Sequence, residues 1–433
     1  MIKASDIPFG SSSKGDTEIA ETHFRERGEG RYSLELLPVG ITFEVDRLRR
    51  ESHALKGELA VSIKPGSLPH AKTLVDPDTQ TQFLAIGELN FSAPRSITER
   101  ANILKERSGA ADSIDWYGLL AQFVFRVTAT ERRGKPAVLL ADIPDEPEDA
   151  VETWDVSGLP ILPDLPMVLF GAGSSGKSYI AMFIAGRLAQ QGINVLYCDW
   201  EFSQKDHRKR FGRLFAPMPK NVFYIRCERP LVDEIDRITR LIAIHHINYV
   251  IFDSIVFALG GTADDENAGM YFRAARMTGV GGLHITHTPK AAIEESANKQ
   301  HAYGSVFFEN GARSIWYAAK AESCPRGEHN VGLYHRKSNV GELLKPRGFR
   351  LLFRGNRTLV EPMAVEESDE LTASLPLLDR MVRALKNGGL TRKQLAEELN
   401  CPDAAIRAII SRHKSRFVKV GNKIGLLGDE VAF

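Results

Sequence analysis

The stretch Gly171-Ala172-Gly173-Ser174-Ser175-Gly176-Lys177-Ser178 constrains this chain more than any other. It follows the apolar run Met167 to Phe170 and precedes Tyr179-Ile180-Ala181-Met182-Phe183-Ile184-Ala185. The run reads as a buried strand and the later stretch as a helix, so the glycines stand at a strand-to-helix turn. Glycine lets the backbone wrap tightly enough for its N–H groups to point inward. The start of a helix adds partial positive charge at the same place. A turn built this way cradles an anion, and the G-x-x-x-x-G-K-S spacing is that of a phosphate loop. In such a loop Lys177 reaches the β- and γ-phosphates of a nucleotide and Ser178 is a ligand for Mg²⁺.

A chain of 433 residues is too long for one ordinary core, and two or three domains are expected. The net charge of +1 gives no global basic field, so any nucleic-acid contact must come from local patches. Cys198, Cys227, Cys324 and Cys401 are scattered without a C-x-x-C pair. That spacing argues against a zinc site or a disulfide framework and fits a reducing, cytoplasmic setting. No apolar run approaches the ~20 residues that a membrane span requires, so no membrane partner is expected.

Residues 1–30 read as a flexible arm. Residues 31–141 read as an α+β accessory domain, with strand-like runs at 34–37, 41–45, 59–63 and 123–127. Ser96-Ile97-Thr98-Glu99 matches a capping box that should open a helix. Residues 142–155 carry two prolines and seven acidic residues and read as a linker. From 156 to 360, apolar strand candidates alternate with helical stretches, the pattern of a largely parallel sheet covered on both faces. The candidates are 167–170, 194–198, 222–226, 248–253, 282–286 and 315–319. Residues 361–374 read as a second, acid-rich linker.

Further signals stand behind the phosphate loop. Tyr249-Val250-Ile251-Phe252-Asp253 is a buried-strand pattern ending in a carboxylate that can hold a metal-bound water. Val195 to Glu201 ends in two carboxylates, Asp199 and Glu201, of which Glu201 is the preferred candidate for the base that activates water. His287 closes another apolar strand, where it can sense a γ-phosphate. Arg313 follows a small-residue turn and is a candidate arginine finger acting on a neighbouring subunit. Lys337 is a second candidate for that reach.

On these residues, the stretch from about 160 to 345 resembles the RecA-like ATPases. Within them it looks most like the RepA-type group of plasmid and phage hexameric helicases. The resemblance is carried by Gly171 to Ser178, Val195 to Glu201, Val250 to Ser254, Ile285 to Lys290 and Gly304 to Ser314. It implies a homo-oligomeric ring, usually a hexamer, that hydrolyses ATP with Mg²⁺ between subunits. It further implies Glu201 as base, His287 as sensor and Arg313 as finger. The loop Gly260 to Glu266 departs from the group: it is acidic where a DNA-tracking loop would be basic. The next loop, with Lys290, Lys299 and His301 against Glu294 and Glu295, is no more basic in balance.

Residues 375–433 read as a winged helix-turn-helix. Leu377, Leu378, Met381, Val382 and Leu385 recur at helical spacing, Thr391 to Gln394 is a capping box, and Pro402 opens a third helix. Phe417–Val420 and Lys423–Leu427 form a two-stranded wing. The segment holds eleven Lys or Arg against six Asp or Glu, and the cations cluster from the third helix into the wing. DNA is the expected partner, protein the alternative. The whole reads as an ATP-hydrolysing motor on DNA, most concretely a replicative helicase. The alternative is a DNA-bound ATPase switch that loads or regulates other proteins without unwinding.

Overall fold

The computed structural model describes residues 22–28, 30–110, 113–134, 136–143, 153–262, 264–288 and 306–427, with the backbone alone for Val306, Phe307 and Glu309. Residues 1–21 and 29 of the expected arm fall outside these residues, as do most of the 142–155 stretch and the loop with Lys290, Lys299 and His301, whereas 22–28 are not an arm but a strand paired along the sheet. The chain divides into two compact units, Met1–Glu146 and Pro147–Phe433. Among the described residues, no helix is long and apolar enough to cross a membrane.

The first unit is one antiparallel sheet with two helices. Its strands are β1 (Thr22–Gly28), β2 (Arg31–Leu36), β3 (Ile41–Glu51), β4 (Ala54–Ile63), β5 (Leu74–Val75) and β6 (Gln82–Asn90), in the order β1-β2-β3-β4-β6-β5. Strict alternation in β4, half-buried then buried along its whole length, sends one face to the core. Helices α1 (Pro94–Ser108) and α2 (Trp116–Arg133) cover that face. Two expectations fail here. Residues 123–127 are helical and lie inside α2, because Leu119, Leu120, Phe123, Val124 and Val127 recur at helical spacing while Phe125 faces solvent. A five-residue window sees only the apolar run. Likewise α1 opens at Pro94, not at a Ser96 cap; Ser96 Oγ instead accepts the Asn90 N–H at 3.1 Å.

The second unit is built on a nine-stranded sheet in the order β11-β10-β12-β13-β9-β14-β15-β16-β17. After a short hairpin, β7 (Trp154–Val156) and β8 (Leu159–Ile161), come β9 (Pro166–Gly171), α3 (Lys177–Gln190), β10 (Val195–Asp199), α4 (Gln204–Leu214) and β11 (Val222–Arg226). Then follow α5 (Leu231–His245), β12 (Tyr249–Asp253), α6 (Ile255–Ala258), α7 (Asp265–Arg276), β13 (Gly281–His287), α8 (Val306–Gly311) and β14 (Ser314–Lys320). The six strands through β14 are parallel; β15 (Glu328–Ser338), β16 (Arg347–Arg354) and β17 (Arg357–Met363) extend the sheet antiparallel. Successive residues of β12 feed opposite cores: Val250 and Phe252 one, Tyr249 and Ile251 the other. That double burial is why the parallel strands read as unbroken apolar runs.

The acidic residues after β12 also have a local explanation. Asp264 caps α7 by accepting the Asn267 N–H, and Asp265 and Glu266 lie in its first turn. They sit where a helix dipole favours negative charge. The stretch 361–374, expected as a linker, is instead packed. Val365 and Leu371 are buried in the same core as Val250 and Phe252, Leu371 within α9 (Asp369–Thr372), and Tyr334 donates to the Leu371 carbonyl. Its apolar residues are few and widely spaced, so its acids dominate the local reading.

Beyond it lie α10 (Leu377–Leu385), β18 (Leu390–Thr391), α11 (Arg392–Glu398), α12 (Asp403–Arg412), β19 (Phe417–Val420) and β20 (Lys423–Leu426). The strands form a small antiparallel sheet in the order β18-β20-β19. Thr391 and Gln394 make the reciprocal capping box, and Asn400 takes the positive φ of 46° that turns α11 into α12. Pro402 stands at the N-cap of α12, one residue outside the helix.

Candidate functional site

The parallel strands end along one edge, and the register fixes which residues meet there. His287 pairs with Gly171 across β13 and β9, and Asp199 with Asp253 across β10 and β12. Carboxyl ends of parallel strands are where α/β folds bind ligands. The cleft there has a volume of about 320 Å³, and its lining includes the phosphate loop, Glu201, Asp253 and His287.

The loop leaves β9 at Gly171 and enters α3 at Lys177. Gly176 has φ of +87°, and a Cβ there would stand 2.9 Å from Val331, so this position requires glycine. Gly171 is equally confined: a Cβ would stand 2.3 Å from the Ala318 carbonyl oxygen. Gly173 has open space around it. Lys177 Nζ folds back over the loop and donates to the carbonyls of Gly171 (2.9 Å) and Ala172 (2.8 Å), with Ser175 Oγ at 3.3 Å. Burial lowers its pKa to about 8, against the pull of the Asp253 and Glu201 carboxylates.

Asp253 is 1% exposed. Burial pushes its carboxyl above the ordinary value and the Glu201 and Asp199 charges add to this, while Tyr197 and Ser178 hydroxyls act the other way. Tyr197 donates to Oδ2 at 2.6 Å. A buried carboxylate next to the Ser178 hydroxyl is a hard, all-oxygen donor pair. That pair fits Mg²⁺, which keeps several waters and takes few protein ligands.

Glu201 faces the cleft. Its Oε1 accepts from Ser254 Oγ at 2.5 Å and stands 3.3 Å from His287 Nε2. Burial acts to raise the Glu201 carboxyl, but the contacts from His287 and Ser254 outweigh it and hold it below the usual value. Asp199, its rival in the sequence, is turned away and fully buried.

Arg313 and Lys337 are not in this cleft. The Arg313 N–H donates to Pro166 at the start of β9, and Lys337 Nζ reaches the Ala312 carbonyl at 3.4 Å. Gly171 lies five residues along the strand from Pro166, roughly 17 Å at a strand's rise per residue. Both cations sit at the far end of the sheet from the phosphate loop of their own chain.

Six cleft residues are not singled out by the sequence: Tyr179, Phe202, Arg210, His329, Leu351 and Phe353. Tyr179 packs edge-to-face on Phe353 at 5.3 Å, and the Arg210 guanidinium lies 4.2 Å from the Phe202 ring centroid and 5.5 Å from that of Tyr179. Tyr179 directly follows the loop motif, a signal that was available. Arg210 is one of five cations in α4, and nothing local distinguishes it from the others. His329 and Phe353 come from antiparallel strands that the sequence reading had not placed.

The fold and cleft together define a phosphate-loop α/β protein. No family model and no curated protein matches the chain. Among solved structures it is similar to the KaiC-like protein PH0186 from Pyrococcus horikoshii OT3, with 15% identity, a TM-score of 0.37, and 46% of this chain and 91% of that one covered. It is similar to the ATPase domain of G40P at 14% identity and a TM-score of 0.38, covering 46% of this chain and 84% of that one. It is similar to the flagellar accessory protein FlaH from Methanocaldococcus jannaschii at 15% identity and a TM-score of 0.35, covering 47% and 92%. With TM-scores this low, the chain's class rests on its own sheet order and cleft.

Proposed function

We propose that this chain is a Mg²⁺-dependent ATPase of the RecA-like kind, acting as an oligomeric, most concretely hexameric, motor on DNA. The role that suits it best is a plasmid- or phage-type replicative helicase in a cytoplasmic setting. The observation that carries the reading is the convergence of Lys177, Ser178, Glu201, Asp253 and His287 on one cleft from separate elements.

In this reading the backbone of Gly171, Ala172, Gly173, Ser174, Ser175 and Gly176 cradles the phosphates of ATP, and Lys177 moves from its carbonyl partners onto them. Ser178 and Asp253 hold Mg²⁺, which when bound neutralises charge on the transferred phosphoryl group. Glu201 orients the attacking water and accepts its proton; its lowered pKa keeps it ionised near neutrality. His287, in contact with Glu201 and at the end of β13, links γ-phosphate loss to the residues that follow it. Tyr179, Phe353 and Arg210 offer a wall suited to an aromatic base. Arg313 and Lys337 act on the next subunit's nucleotide, which their distance from their own cleft supports.

The C-terminal three-helix segment is read as a winged helix that meets DNA. Arg407, Arg412, Lys414, Arg416, Lys419 and Lys423 are all exposed. Cations flanking a recognition helix meet phosphates while the helix enters the major groove. The second reading, an ATPase switch that loads other proteins, is favoured by the acidic stretch after β12, while none of these cations lines the cleft.

The deciding experiment is steady-state ATP hydrolysis with and without single-stranded DNA, paired with unwinding of a forked duplex and a Glu201→Gln control. Stimulated hydrolysis with unwinding supports the motor. Hydrolysis indifferent to DNA moves the reading to the switch, and no hydrolysis by the unaltered protein overturns both.

A further inference from the structure

Asp199 and Glu201 stand two residues apart at the end of β10, yet their carboxylates do different things. Asp199 is 0% exposed. Its Oδ1 accepts the backbone N–H groups of Glu201 at 2.9 Å and Phe202 at 3.1 Å. Its Oδ2 accepts the Tyr224 hydroxyl at 2.8 Å and stands 3.1 Å from the Phe202 nitrogen. His207 Nε2, from α4, lies 3.1 Å from Oδ2, close but off the hydrogen-bond axis. Arg226, from β11, lies 3.5 Å from it and also donates to the Phe202 carbonyl at 3.0 Å. The other side of the turn is pinned by the Trp200 N–H on the Asp253 carbonyl at 2.8 Å.

One buried carboxylate thus gathers groups from β10, α4 and β11, and two of them are the amides of the candidate base and its neighbour. An ion buried without partners costs several kcal/mol. Burial does act to raise the Asp199 carboxyl, but His207 and the Phe202 and Glu201 amides outweigh it and hold it below its ordinary value. Hydrogen bonds to an ionised acceptor are the short, strong kind, so the turn is stiff.

We propose that Asp199, backed by His207 and Tyr224, is a positioning residue that fixes the turn from which Glu201 reaches the cleft. It is buried and does not line the cleft. The proposal rests on the reading of Glu201 as the base. Misplacing a catalytic group by 1 Å costs on the order of 100-fold in rate. None of the partners named here belongs to the phosphate loop, so the effect falls on turnover more than on nucleotide affinity.

The test compares kcat, KM and the Kd for ATP in Asp199→Ala, Asp199→Asn, Tyr224→Phe and His207→Gln, with Glu201→Gln beside them. Asp199→Ala is expected to lower kcat by about 30- to 100-fold with Kd held within about threefold. Asp199→Asn recovers part of the loss, because its amide oxygen still accepts the Glu201 and Phe202 N–H groups. Tyr224→Phe, which leaves those two bonds in place, lowers kcat a few-fold and stays readable should Asp199→Ala fail to fold. The proposal is overturned if folded Asp199→Asn and Tyr224→Phe turn over like the unaltered protein, or if their Kd rises in step with any fall in kcat. Inactive Glu201→Gln beside fully active Asp199 variants sinks this inference alone. An active Glu201→Gln sinks the base assignment and this inference with it.

Discussion

Raising the pH should weaken nucleotide binding through Lys177. Its ammonium is buried against the loop's own carbonyls, and that burial brings its pKa down to about 8. Only the charged form attracts phosphate, and a bound polyanion returns the pKa to well above 8. The free protein is therefore partly deprotonated near pH 8 while the complex is not, so binding takes up a proton and affinity falls as pH rises. Between about pH 7.5 and about pH 9 the protonated fraction of such a group drops from about three quarters to about one tenth, which raises Kd ~8-fold, or about 1.3 kcal/mol. Equilibrium titration with ATP, at constant salt and Mg²⁺ and in two buffers of different ionisation heat, reads both the Kd and the proton uptake. Lys177→Arg keeps the charge and does not titrate in this range, so its Kd should stay flat. A flat Kd for the unaltered protein, or two parallel curves, would refute the reasoning.

Other outcomes follow from the same structure. Leu371→Ala, at a fully buried position, should cost about 2–5 kcal/mol and lower the thermal midpoint of the Pro147–Phe433 unit; an unchanged midpoint would return residues 361–374 to the status of a linker. His284 is buried between Phe252 and Tyr271, and burial lowers its pKa to about 3. Below about pH 6.5 the unfolded chain takes up a proton that the folded one refuses, so stability falls with pH, by ~2 kcal/mol at about pH 5 relative to neutrality. Urea midpoints should show that slope diminished in a His284→Phe, Tyr271→Phe double variant, and an equal slope would reject the assignment. Arg313→Ala should lower hydrolysis about 1,000-fold while nucleotide binding and assembly persist, and unchanged hydrolysis would remove the finger role. Replacing Lys414 by Ala should weaken duplex binding uniformly across sequences and reduce the salt slope by about one; a change confined to one DNA sequence would mean a base contact instead.

Legibility followed the range of the interactions. The six parallel strands stand within a residue or so of where the apolar runs put them, since a strand buried on both faces, as all but the edge strand β11 are, writes itself as a continuous apolar stretch. In strands β15 to β17 short buried runs such as Val331–Tyr334 are flanked by polar and charged residues, so they do not stand out as apolar stretches. The capping box at Thr391 was readable because cap chemistry spans only four residues. The similar spacing at Ser96 misled, because Pro94 had already started the helix.

The sequence by itself determined the phosphate loop, the carboxylate-ended strands and the three helices and hairpin of the C-terminal segment, because each is set by contacts a few residues apart. Only the tertiary structure decided which of two neighbouring carboxylates faces the cleft, that His287 meets Glu201, that Tyr179 packs against Phe353, and that Arg313 lies at the far end from its own loop. Those meetings depend on strand order and on packing across long stretches of chain. No local pattern records them, because their physical cause is the burial of one sheet's two faces at once.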